Sequence, residues 1–67
     1  MTLPPPNEWR DGSTDQQSAY QGFRDARRGR EDETMMWKDE HGTKCGKLYS
    51  DYFEAGQTFR RLDKVKD

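Results

Sequence analysis

The sequence predicts an all-α fold: a two-helix hairpin with an extended N-terminal segment and a long irregular connection. Three observations predict it. Apolar residues recur at helical spacing in two separate windows. No stretch alternates apolar and polar residues as a half-buried strand would. Prolines 4 to 6 and Gly12, Gly29 and Gly42 punctuate the chain around the two windows. With 67 residues, the chain has room for a single small domain.

The first 13 positions read as an extended, proline-rich segment, because Pro4-Pro5-Pro6 favours polyproline II and bars a helix there. A turn at Asp11-Gly12-Ser13 leads into the first helix. Ser13 with Gln16, or Thr14 with Gln17, has the spacing of a capping box, in which the hydroxyl accepts from an amide of the first turn. Ala19, Tyr20, Phe23 and Ala26 then share one face, and Gly29 is a natural stop, so the first helix is expected over 14–29.

Residues 30–46 show no sustained period and read as the connection, with Cys45-Gly46 delaying the next helix. From Lys47 the pattern is regular. Leu48, Tyr52, Ala55, Phe59 and Leu62 step by fours and threes, with Tyr49 and Gly56 widening the stripe. Gly56 would also let another helix approach closely. The second helix is expected over 47–63, with Arg60, Arg61, Lys64 and Lys66 suiting the negative end of its dipole. A frayed tail over 64–67 completes the reading. The single domain thus spans 14–63.

Composition narrows the function. Hydrophobic residues make up 28 % of the chain and charged ones 37 %, and the mean hydropathy of -1.47 is low. A core this thin does not easily sustain so short a chain, which calls for an oligomer or another partner. It also cannot wall a buried pocket of ordinary size, so catalysis is not expected. Aromatic residues nonetheless reach 12 %, which is rich for a disordered segment and resembles the composition of an interface. No run of apolar residues is long enough to span a membrane. The first residues lack the cationic start and apolar stretch of a signal peptide, and the lone Cys45 rules out an internal disulfide. Cytoplasmic residence is therefore the expectation.

The net charge of -1 conceals segregation. Arg24, Arg27, Arg28 and Arg30 form a basic block, with Asp25 alone opposing them; Glu31-Asp32-Glu33, and further on Asp39-Glu40, follow at once. Guanidinium groups grip phosphate bidentately, so the arginines could contact RNA. They could equally face an acidic protein, or simply form a solvated face paired with the neighbouring carboxylates. The acidic residues, irregularly spaced, read as a solvated loop more readily than as a mimic of nucleic acid. His41 and Cys45 are too few for a structural zinc site and lack an orienting third group for nucleophilic catalysis. They are expected to be a loop histidine and a half-buried thiol, and no cofactor or metal is expected. Met35-Met36-Trp37 is either a plug in the helix seam or a partner anchor. Trp9 either ties the N-terminal segment to the hairpin, inserts into a partner, or is exposed.

Gly22-Phe23-Arg24-Asp25-Ala26-Arg27-Arg28-Gly29-Arg30 is similar to the Gly-Tyr-x-x-Gly-x-x-Gly-Arg motif of the ribosome modulation factor family, with Ala26 at the middle glycine. Without a gap, Met35-Met36-Trp37 falls where that family has Cys-Pro-Tyr. Leu48-Tyr49-Ser50-Asp51-Tyr52-Phe53-Glu54-Ala55 resembles its Trp-x-x-Gly-Trp-x-x-Ala motif, with Leu48 and Tyr52 at the aromatic positions and Asp51 at the glycine. The resemblance covers about residues 20–56. It implies a small two-helix regulator that binds the ribosome or another RNA-containing machine through Arg24, Arg27, Arg28 and Arg30, with Lys44 and Lys47 at the basic end of the connection.

The alternative expectation is a phage or mobile-element product that inhibits a host protein by direct binding, anchored by Trp37, Tyr49, Phe53 and the arginines. Near-neutral charge favours this alternative, and the motifs favour the first reading. Under either, the surplus apolar face of the second helix is expected to be covered, by a homodimer through 47–63 or by the partner itself.

Overall fold

In a computed structural model, which describes the backbone of residues 3–65 and the side chains of 3–63, the chain is helical and holds no strand among the described residues. Three α-helices, α1 (Thr14–Arg27), α2 (Thr34–His41) and α3 (Thr43–Val65), follow a short 3-10 turn over Asn7–Asp11. The all-α class is as expected. The two-helix hairpin is not, because the connection carries a helix of its own.

That extra helix changes the topology. Asp15 and Ser18, near the start of α1, lie beside Lys44 and Cys45 at the start of α3. Phe23 packs edge-on against Phe59, and Arg27 pairs with Asp63 near the other end. The pairs advance together, so α1 and α3 run parallel, whereas a hairpin would set them antiparallel. α2 is the return leg. Its Trp37 lies on Tyr49 and its Lys38 on Gly46, antiparallel to α3. At 1.5 Å per residue, α1 rises about 20 Å. The four connecting residues 30–33 and an eight-residue helix are long enough to retrace that distance.

Local chemistry sets the boundaries. Ser13 accepts from the Gln16 N–H at 3.3 Å, and Gln16 Oε1 accepts from the Ser13 N–H at 2.9 Å, completing the capping box. Helix α1 ends two residues before the expected position in a Schellman motif: Gly29, at φ 72°, donates to Ala26, and Arg30 donates to the Asp25 carbonyl at 2.9 Å. Asp32 starts α2 by accepting from the Thr34 N–H at 2.8 Å. Gly42 alone, at φ 102°, separates α2 from α3.

α3 begins at Thr43, four residues before the expected Lys47, and so absorbs Cys45 and Gly46. Glycine is a poor helix former, but here packing outweighs propensity. A Cβ at Gly46 would come within 2.7 Å of Lys38 Cβ, so only glycine lets α2 lie this close. The first segment departs from a simple extended form through its 3-10 turn, which sets Trp9 edge-on to Tyr52 with ring centroids 6.0 Å apart. Trp9 thus ties the segment to α3. At the other end α3 is continuous to Val65; the rest of the expected frayed tail over 64–67 falls outside the described residues.

The seam between α1 and α3 is built on small residues. Ser18, Ala19, Gly22, Asp25 and Ala26 are buried on α1, facing Cys45, Tyr49, Phe53 and Gly56 on α3. The stripe expected on the second helix is rotated: Leu48, Tyr52 and Phe59 are half-buried and Leu62 is exposed, because α3 is covered from two sides. Gly56 does admit the neighbour, since a Cβ there would meet Ala26 Cβ at 2.7 Å. Trp37, Tyr49 and Phe53 stack in a ladder with centroids about 6 Å apart, which joins α2 to the core.

A candidate nucleic-acid interface at the arginine pole

Because α1 and α3 are parallel, both helices end at the same pole. Arg24, Arg27 and Arg28 come from the last turns of α1 and Arg30 from the Schellman turn, while Arg60 and Arg61 come from the second half of α3. The guanidinium of Arg60 lies over Gly29, within 3.0 Å of where a Cβ would stand. Two of the six are engaged. Arg27 bridges the helix ends through Asp63, and Arg30 Nη1 lies 3.9 Å from Asp25 Oδ1. Among the described residues, Arg24, Arg28, Arg60 and Arg61 have no carboxylate in ion-pair range, and Arg28, Arg60 and Arg61 are exposed. The carbonyl ends of two helices also favour cations here, which lowers the cost of crowding like charges.

Asp25 anchors this pole from inside. Its carboxylate is 1 % exposed, and three groups satisfy it. The Tyr49 hydroxyl donates to Oδ2 at 2.6 Å, Gln21 Nε2 donates to Oδ1 at 2.7 Å, and Arg30 approaches from the surface. The same Tyr49 oxygen accepts from the Glu33 N–H at 3.2 Å, fastening the connection to the core. Burial, reinforced by the Asp25 carboxylate, pushes the Tyr49 hydroxyl well above its ordinary 10.0. The phenol is therefore a donor at any physiological pH.

The expected site residues separate into two groups. The arginines of α1 do share a surface. Lys44 and Lys47 do not join it: they stand at the opposite end of the molecule, Lys44 paired with Asp15 at 2.9 Å and Lys47 with Asp51 at 3.1 Å. Tyr49 and Phe53, expected as anchors, are core residues at 0 % and 7 % exposure. Trp37 is half-buried and lies between Tyr49 and His41. It acts mainly as the plug, while Met35 and Met36 point outward.

Arg60 and Arg61 were missing from the expected surface because only the parallel topology brings them to the arginines of α1. The role of Asp25 was also missed; its signal is its place on the same face as Ser18, Gly22 and Ala26, where a carboxylate needs a buried partner. Cys45 is fully buried rather than half-buried, and its thiol donates to Asp15 Oδ1 at 3.2 Å. Burial, followed by that bond, raises its pKa and so disfavours the reactive thiolate. Among the described residues no group of three or more His, Cys, Asp or Glu could hold a metal ion, and no helix is long and apolar enough to cross a membrane. Comparison with protein families, with characterised proteins and with solved structures finds no match.

Proposed function

We propose that this chain is a small non-catalytic binding protein that docks its arginine pole on RNA, as part of the ribosome or another RNA-containing machine. One observation carries the reading: Arg24, Arg28, Arg60 and Arg61 lie toward the same end of two parallel helices, Arg60 reaching over Gly29 of the first, without a carboxylate partner among the described residues. Four such cations can each displace a counterion from a phosphate backbone. The resemblance of residues 20–56 to the ribosome modulation factor family points the same way. In this chain Arg60 and Arg61, rather than Lys44 and Lys47, share the end of the molecule at which the arginines of α1 lie.

Inhibition of a host protein draws less support, because two of its three aromatic anchors, Tyr49 and Phe53, lie in the core. A homodimer through 47–63 has Leu62 as its large exposed apolar residue on that helix among the described residues.

Co-sedimentation with ribosomes, and gel shift with a structureless RNA, test the reading. At about 50 mM salt the chain should bind both. Replacing Arg24, Arg28, Arg60 and Arg61 with alanine should abolish binding, while Lys44→Ala with Lys47→Ala should leave it within about twofold. No binding at low salt, or equal loss from the two sets, refutes the proposal.

A further inference from the structure

Beside the pole, between the α1–α2 connection and the outer face of α3, runs an open groove of about 520 Å³, within the range of small-molecule sites. The connection contributes Arg30 and Asp32. α3 contributes Phe53, Glu54, Gln57 and Arg61 from successive turns of one face. It shares Arg30 and Arg61 with the pole and adds two carboxylates to them. Two guanidinium groups and two carboxylates line it with no net charge, which poorly suits a bare polyanion. A matching ligand must offer an anion or acceptors to the arginines and N–H donors to the carboxylates.

From this pairing we infer that the groove holds a guanosine phosphate. Among the common bases, guanine presents two adjacent N–H donors on one edge, which a single carboxylate can accept, and the O6/N7 acceptor pair on the other, which suits arginine. The phosphate falls to the second arginine, and Gln57 supplies a further amide. Phe53, 7 % exposed, closes the bottom of the groove.

Two of the four charged groups are held before any ligand arrives. Asp32 Oδ1 accepts from the Thr34 N–H, and Arg30 is drawn toward the buried Asp25. The inference rests on the RNA reading above, since an unpaired guanosine beside a bound backbone is one source of such a ligand. A free nucleotide is the other.

Titration of the intact protein, followed by backbone amide NMR, distinguishes these cases. The probes are GMP, AMP, a short single-stranded RNA with one guanosine, and oligouridylate of the same length. GMP should shift residues 30–32 and 53–61 and bind at least tenfold more tightly than AMP. Shifts of the groove by free GMP assign a nucleotide site. Shifts there only by the guanosine-containing RNA assign an unpaired guanosine. Glu54→Gln should erase the preference for guanine, and Arg61→Ala should weaken both nucleotides; both side chains are exposed, so the fold is retained. If neither GMP nor the guanosine-containing RNA shifts the groove, or if AMP equals GMP there, the inference fails. Should oligouridylate still bind the pole in that case, the RNA reading stands alone. Should it bind nowhere, both fall.

Discussion

At the scale of single residues, Tyr49 does most to join the parts of this molecule. Its ring is the middle rung of the ladder from Trp37 to Phe53, and its hydroxyl connects Asp25 on α1 with the backbone of Glu33. Tyr49→Phe keeps the ring but leaves a buried carboxylate and a backbone N–H each short of a partner. We expect it to cost about 1–3 kcal/mol in urea unfolding near neutral pH. The pH dependence has a definite sign. Above about pH 10 the unfolded chain can ionise this tyrosine, while the folded chain, whose hydroxyl is pushed up, keeps its proton. Stability is therefore full below that pH and lost as pH rises through it. Tyr49→Phe should flatten this alkaline loss, leaving the parts due to Cys45, raised by burial, and to Lys44, raised by its bond to Asp15. An unchanged alkaline slope in the variant excludes Tyr49 as its source. Gly22 marks the other extreme of size, because a Cβ there would collide with the Tyr49 carbonyl, which is backbone and cannot swing away. Gly22→Ala should cost at least about 1–3 kcal/mol by overpacking the seam, measured as a shift in urea midpoint. A neutral result would mean that the two helices separate more readily than their contact implies.

At the scale of elements, legibility followed how local each cause was. The start of α1 was readable because a capping box is a contact between residues three apart, and Gly29 as a stop because a Schellman motif involves only neighbours. Ser13→Ala should accordingly destabilise the protein by about 1 kcal/mol, with Gln16→Ala of similar cost, since it removes the other half of the same box, the shorter of its two bonds; equal stability of Ser13→Ala and the parent chain would show that α1 is held by packing alone. The aromatic content of the core was also readable, but not its centre. α3 buries Cys45, Tyr49 and Phe53 because α2 covers a second side of it, and a stripe drawn for one neighbour misses that rotation. α2 was hidden for a physical reason. Its eight residues place Met35, Met36 and Trp37 in succession, so apolar residues point in three directions and only Trp37 turns inward. Its existence depends on the ring of Tyr49 and on Gly46, both remote in sequence from Thr34. Short helices stabilised by tertiary contact leave little period to read.

At the scale of the whole molecule, the decisive fact is the direction of α1 against α3, because it determines which charges share a pole. An antiparallel hairpin would set Arg60 and Arg61 beside the acidic start of α1 and leave the arginines of α1 on their own. The parallel arrangement instead gathers six arginines at one end and pairs Lys44 with Asp15 at the other. The topology can be tested apart from any ligand. In a Cys45→Ala background, cysteines at positions 27 and 63 replace an ion pair across the helix ends, and under mild oxidation they should cross-link much faster than a pair that this topology holds apart. Cysteines at positions 14 and 63, which an antiparallel hairpin would bring together, should remain reduced, since about 20 Å of α1 separates them here. The reverse result would break up the pole, and the RNA proposal with it. If the parallel result is obtained, binding should carry the electrostatic signature of a single cluster. Four phosphate contacts to single-stranded RNA give a slope of roughly -3 in log affinity against log salt, or about a 50-fold loss between 50 and 200 mM. Removing Arg60 and Arg61 should halve that slope, because two of the four phosphate contacts go with them.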